Sequence, residues 1–143
     1  MTSIDWDQVS AFIDGAGLAH VATASPSGEP HVALVLAVRE GRHLTFTTRS
    51  MSGKARNLAA NPRMTLMWQG NGAESYLWGT VRLIEDPQEK SRVWDGGLFP
   101  FDLSQFFGSP ESPGWVVGRV DPERAVVMVQ RDAGMERLVW RAG

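Results

Sequence analysis

Residues 46–68 pass from strand through a short turn to helix and back to strand, and no other stretch restricts the fold as much. Leu44, Thr45, Phe46, Thr47 and Thr48 form a β-branched and aromatic run of the kind that packs on a pleated surface. A short polar turn follows, in which Ser52 is a natural N-cap and Gly53 allows close approach to the backbone. Lys54 then opens the helix Lys54-Ala55-Arg56-Asn57-Leu58-Ala59-Ala60, which Asn61-Pro62 ends because a residue before proline avoids the α region. The next strand starts at once, with Met64, Leu66 and Trp68 on one face and Thr65 and Met67 on the other. The first turn carries Ser, Lys and Arg where unpaired N–H groups and the positive end of the helix dipole favour an anion. The glycine spacing is not that of a Walker A loop, and an ordinary capped surface helix would show the same residues.

The rest of the chain repeats this alternation of short strands and helices. Trp6, Val9, Phe12 and Ile13 predict an N-terminal helix capped by Ser3 or Asp5 and stopped at Gly15-Ala16-Gly17. Strands are expected at 18–25 and 30–38, joined by a Pro26-Ser27-Gly28 turn, then at 43–48, 64–69 and 75–84. Asp86-Pro87-Gln88-Glu89 starts a helix that runs to about Trp94, with cap, proline and capping-box acid in place. Residues 97–114 read as irregular and aromatic, and three strands at 115–120, 124–130 and 136–141 finish the chain. Short antiparallel strands with helices in their connections indicate a mainly β fold, a barrel rather than a parallel α/β sheet, in one domain spanning 1–143.

Several function classes are excluded by composition. The formal net charge of −2, with the twelve arginines scattered among fourteen basic residues, gives no basic footprint for nucleic acid. Without cysteine there is no disulfide, thiolate metal site or thiol nucleophile. His20, His31 and His43 match no metal spacing, so no metal is expected, and they read as surface or partly buried strand positions. No Ser-His-Asp set or carboxylate pair marks a hydrolase, and no side chain is assigned as catalytic. With neither a basic n-region nor a membrane-length apolar run, the expectation is a cytoplasmic protein without a membrane partner.

The segment Phe46, Thr47, Thr48, Ser52, Gly53, Lys54, Asn61, Pro62 and Arg63 resembles, without a gap, the cofactor-binding stretch of the pyridoxamine 5'-phosphate oxidase family. Val21-Ala22-Thr23, Gly28, Pro30 and Leu34-Val35-Leu36 resemble that family's first two strands, and Trp115, Arg119-Val120 and Arg137 to Arg141 a diverged form of its C-terminal region. The resemblance implies a split β-barrel of the FMN-binding kind with peripheral helices. It also implies a homodimer with the cofactor at the subunit interface, and flavin-dependent hydride transfer with a small-molecule substrate. It places the phosphate of flavin mononucleotide on Thr47, Thr48, Arg49, Ser50, Ser52 and Lys54, and the isoalloxazine ring along Ala33, Leu34 and Val35, with Glu74 and Arg141 nearby. Taken alone, Arg49 reads equally well as a solvated loop charge.

The sequence also departs from that family. Ala33, Val38 and Gly53 stand where the family has arginine, lysine and arginine, and Glu74 where it has glutamine. Met128 replaces a ring-contacting tryptophan, and Val139 replaces the histidine of the C-terminal Arg-Leu-His segment that helps hold the pyridine substrate. Oxidation of pyridoxamine 5'-phosphate is therefore not expected. Asp86-Pro87, Trp94 and Phe99-Pro100 resemble the general-stress-protein branch instead. Fewer cations also suit the deazaflavin coenzyme F-420, whose phosphodiester carries less charge. A flavin-binding stress protein without catalysis is the third reading. Val32, Leu34, Leu36, Met64, Leu66 and Trp68 together suggest more apolar surface than a small barrel covers, in line with a dimer. Trp68, Trp78 and Trp94 are expected to pack rather than to wall a cofactor, while the aromatic segment 98–107 fits either a lid or a subunit contact.

Overall fold

The computed structural model describes residues 1–143. Its elements are β1 (Thr2–Ser3), α1 (Trp6–Ile13), β2 (Ala19–Ala24), β3 (Pro30–Val35), β4 (Val38–Glu40), β5 (His43–Arg49) and α2 (Gly53–Ala60). They continue with β6 (Arg63–Gly70), β7 (Ala73–Ile84), α3 (Pro87–Asp95), α4 (Leu103–Phe107), β8 (Trp115–Arg131) and β9 (Gly134–Arg141). One sheet runs in the order β1-β9-β8-β7-β6-β2-β3, and β5 joins it through β8 while carrying β4 on its other side. All pairings are antiparallel except that of β1 with β9. No ladder joins β3 to β5, so the barrel is split there, as the mainly β split-barrel reading expected.

Strand alternation fills the interior. Val21, Leu44, Phe46, Leu66, Trp68, Leu77 and Val120 turn inward and are essentially inaccessible, and Val9 and Ile13 of α1 close one end over them. Asp5 rather than Ser3 caps α1, in a reciprocal box with Gln8 that satisfies two terminal N–H groups. At two positions in the sheet, backbone passes so close to a neighbour that only glycine fits. A Cβ on Gly118 would intrude on the Phe46 ring, and one on Gly79 would lie 2.6 Å from the Asp121 carbonyl oxygen.

The separate strands expected at 115–120 and 124–130 are one continuous strand, β8. Pro122 cannot donate to a ladder, yet a bulge at Glu123 of β8, opposite the Trp78–Gly79 step of β7, absorbs it and pairing resumes beyond. That bulge also lets β8 change partners, pairing β5 through residues 115–120 and β9 through residues 124–131. The expected strand 30–38 is interrupted after Val35, and Val38 begins a new strand on β5.

Met64, Leu66 and Trp68 are buried in the chain's own core and so add nothing to an apolar outer surface. Val32 and Leu34 remain exposed, at 65% and 55%. Trp6 and Trp115 are core residues. The aromatic segment 98–107 also packs on its own chain: Phe99 and Leu103 are buried with Ile84, Val93 and Trp115, and Phe107 stacks on Trp115 at 5.5 Å.

Candidate functional site

The N-terminus of α2 lies at the split, where helix, β3 and the end of β5 meet. Ser52 caps the helix, its Oγ accepting from the Ala55 N–H at 3.1 Å. The N–H groups of Gly53 and Lys54 find no acceptor in the chain, so two donors and the positive helix end face outward together. Leu58 and Ala55 bury the opposite face of the helix, and Asn57 Nδ2 donates to Thr23 Oγ1 at 3.1 Å to fix it on β2.

Three polar side chains converge on this terminus. Lys54 Nζ donates to Thr48 Oγ1 at 2.6 Å, and Thr48 and Ser52 share a hydrogen bond at 3.1 Å. Thr48 is 4% exposed. Lys54 has no carboxylate partner, and burial lowers its pKa, because taking the ammonium from water penalises the charged form. A desolvated cation beside unpaired N–H donors is electrostatically incomplete, and an anion completes it.

Of the remaining residues singled out from the sequence, Thr47 is half-buried opposite Val117. Ser50 spends its polar groups on the neighbouring loop, with Oγ donating to the Pro113 carbonyl and N–H to that of Gly114, both at 3.0 Å. Arg49 is exposed, its guanidinium 6.0 Å from the Phe107 ring centroid. Ala33 and Val35 share one face of β3, and Leu34 occupies the other. Glu74 sits at the β6–β7 hairpin and accepts from Tyr76 Oη at 2.7 Å. Arg141 ends β9 beside an open cleft lined by Trp6, Arg42 and Trp140. Within one chain, then, Thr48, Ser52 and Lys54 are brought together, while Glu74 and Arg141 stand apart from them.

Sequence reasoning passed over His31. It lies on the same face of β3 as Ala33, with Nε2 3.2 Å from where a Cβ on Gly53 would be. Its Nδ1 is buried without a hydrogen-bond partner. The available signal was the two-residue spacing from Ala33 on an alternating strand, which fixes the face but not the neighbour. The residues present suit a phosphate-bearing cofactor on two counts: main-chain donors without acceptors at the helix end, and a partly buried ammonium beside them with no carboxylate partner.

Residues 6–128 match the family described as pyridoxamine 5'-phosphate oxidase. Among solved structures, the chain is similar to General Stress Protein 26 from Bacillus anthracis str. Sterne, with 20% identity, a TM-score of 0.68, and 85% of this chain and 91% of that one covered. It is also similar to a pyridoxamine 5'-phosphate oxidase-related, FMN-binding protein from Nostoc punctiforme, with 17% identity, a TM-score of 0.74, and coverage of 92% and 83%. A third similar structure is an F420 reductase, with 21% identity, a TM-score of 0.61, and coverage of 81% and 94%. No curated protein matches the chain. The family match spans most of the sequence, and these structures share its split-barrel fold: the chain belongs to the pyridoxamine 5'-phosphate oxidase family.

Proposed function

We propose that the protein binds flavin mononucleotide, with the phosphate at the first turn of α2 and the ring system along β3, and transfers hydride to or from a small substrate. One observation carries this reading: the half-buried Lys54 ammonium converges with Thr48 and Ser52 at the helix end whose Gly53 and Lys54 N–H groups are unpaired. Thr48 holds Lys54 in place, Ser52 keeps the helix terminus open by capping it from the side, and β3 supplies backbone and the small Ala33 side chain for a flat ring. A bound flavin supplies the hydride chemistry itself, so the protein need only position and shield it. This accords with the lack of an assigned catalytic side chain.

The site of one chain is partial, and the proposal includes a homodimer. Val32 and Leu34 lie exposed on β3, which pairs only β2 and presents a free strand edge beside the site. A second copy covering this edge also gives Glu74 or Arg141 a route to the cofactor from the other subunit. The absorbance spectrum of purified protein, before and after addition of flavin mononucleotide, tests the reading. A bound-flavin spectrum supports it, and a chain that neither retains nor takes up flavin contradicts it.

Loss of the cations at Ala33, Val38 and Gly53 favours a second reading, the deazaflavin coenzyme F-420, because a singly charged phosphodiester needs less compensation than a dianion. Tighter binding of that coenzyme than of flavin mononucleotide would select it.

A further inference from the structure

We propose that His31 is a phosphate-binding residue of this site, taking over from the arginine that Gly53 replaces. The inference rests on the flavin-mononucleotide reading above. Position 53 carries no side chain, and the space beside it is occupied by the His31 imidazole, reached from another strand. The ring presents its Nε2 edge to the first residue of α2: Nε2 lies 3.2 Å, Cδ2 3.5 Å and Cε1 3.8 Å from the absent Cβ. Any larger residue at position 53 would push the ring away from the helix terminus, so the glycine and the histidine form one unit.

The two ring nitrogens differ in surroundings. Nδ1 is buried with no partner, whereas Nε2 lies against the first residue of α2 and makes no hydrogen bond within the chain. A proton on Nδ1 would be a buried donor without an acceptor, the costlier arrangement. The tautomer with the proton on Nε2 avoids that and puts the ring's N–H beside the first residue of α2, where the N–H groups of Gly53 and Lys54 are also without acceptors. His31, Lys54 and two main-chain amides then surround one anion from two elements of the split barrel. The neighbouring titratable groups on α2 are Lys54 and Arg56, both cationic, while β2 presents Thr23 opposite His31. No carboxylate stands in this group to compete for the donor.

Titration of apo-protein followed by flavin fluorescence, with flavin mononucleotide and with riboflavin, tests the inference on the wild type, His31→Leu and His31→Gln. Riboflavin has the same ring and lacks the phosphate. His31→Leu should weaken flavin mononucleotide by about ten- to a hundredfold, as for loss of a charge-assisted hydrogen bond, and leave riboflavin unchanged. His31→Gln retains an N–H donor and should recover most of that loss, a rescue that a purely packing role would not give. Equal loss of both ligands in His31→Leu, or no loss of either, would overturn the assignment while leaving the flavin site standing. Failure of wild type to prefer flavin mononucleotide over riboflavin would overturn the phosphate reading and the assignment with it.

Discussion

Replacing Gly118 by alanine is expected to destabilise the barrel by about 3 kcal/mol, in the upper part of the range for overpacking a core. Gly118 lies directly opposite Phe46 in the β5–β8 ladder, and Phe46 is wholly buried. An added Cβ would meet three atoms of the ring, with Cε2 at 2.8 Å and Cζ and Cε1 nearer still. Neither partner can yield: the ladder pins both strands, and the ring is enclosed by the core that includes Leu44, Leu66 and Val120. Alanine restricts the unfolded chain relative to glycine, which offsets only about 0.5–1 kcal/mol. Urea unfolding followed by tryptophan fluorescence measures the loss, as a fall in midpoint at constant slope. Phe46→Leu removes part of the ring, so the double variant should be more stable than the sum of the single losses by at least about 0.5 kcal/mol. A Gly118→Ala variant within about 0.5 kcal/mol of wild type, or additive losses in the double variant, would refute this account of the close approach. Because Phe46 leads β5 into Thr48, the same substitution is expected to weaken flavin binding.

Lys54→Ala is expected to cost under about 1 kcal/mol of fold stability and roughly 1.5–3 kcal/mol of flavin mononucleotide binding, read from thermal melts and from titration with that ligand and with F-420; unchanged affinity for both removes Lys54 from the site. Burial lowers the Lys54 pKa, so its charge disfavours the folded apo-protein at neutral pH and that penalty fades as pH rises through the lowered value; the Lys54→Ala stability difference should accordingly change between neutral and strongly alkaline pH. Hydrogen bonds from Arg119 and then Arg92 hold the Glu89 carboxylate below its usual range, so its contribution is present above the unfolded pKa of about 4.3 and is lost as pH falls through the lowered folded value. Glu89→Gln should therefore flatten the acid limb of stability against pH. Sedimentation equilibrium should give a dimer at micromolar concentration, and Leu34→Asp, on the exposed face of β3, should give a monomer. Pyridoxamine 5'-phosphate should not be oxidised at an appreciable rate, since Val139 offers no hydrogen bond; rapid peroxide release with that substrate would contradict this.

Much of this structure is written in local chemistry. Ser52 and Asp86 each cap a helix where their spacing said they would, and Asp5 does so as one of the two candidates offered with Ser3, because capping depends on the few residues that follow. The strand faces of Met64, Leu66 and Trp68 were equally legible from alternation, but their destination was not: period two gives a face without saying whether it meets the barrel interior or another subunit. Pro122 marked a break in the sequence that the sheet tolerates, since Glu123 beside it bulges out of register and the long strand β7 pairs on both sides of it, a partner that nothing near Pro122 announces. The phosphate locus shows the same limit. Ser52 and Lys54 are neighbours in sequence and could be grouped at once. His31 reaches them only through the packing of β3 on α2, and nothing local to either segment announces that contact.

The account turns on an anion site built for the phosphate of a flavin. Equilibrium titration of wild-type apo-protein with flavin mononucleotide and riboflavin addresses it directly, because the two ligands differ by that group alone. The unpaired amides, Lys54 and the Thr48–Ser52 pair predict that flavin mononucleotide binds roughly a hundredfold or more tightly than riboflavin. Equal affinities would show that the first turn of α2 is an ordinary capped helix end, and would contradict the account.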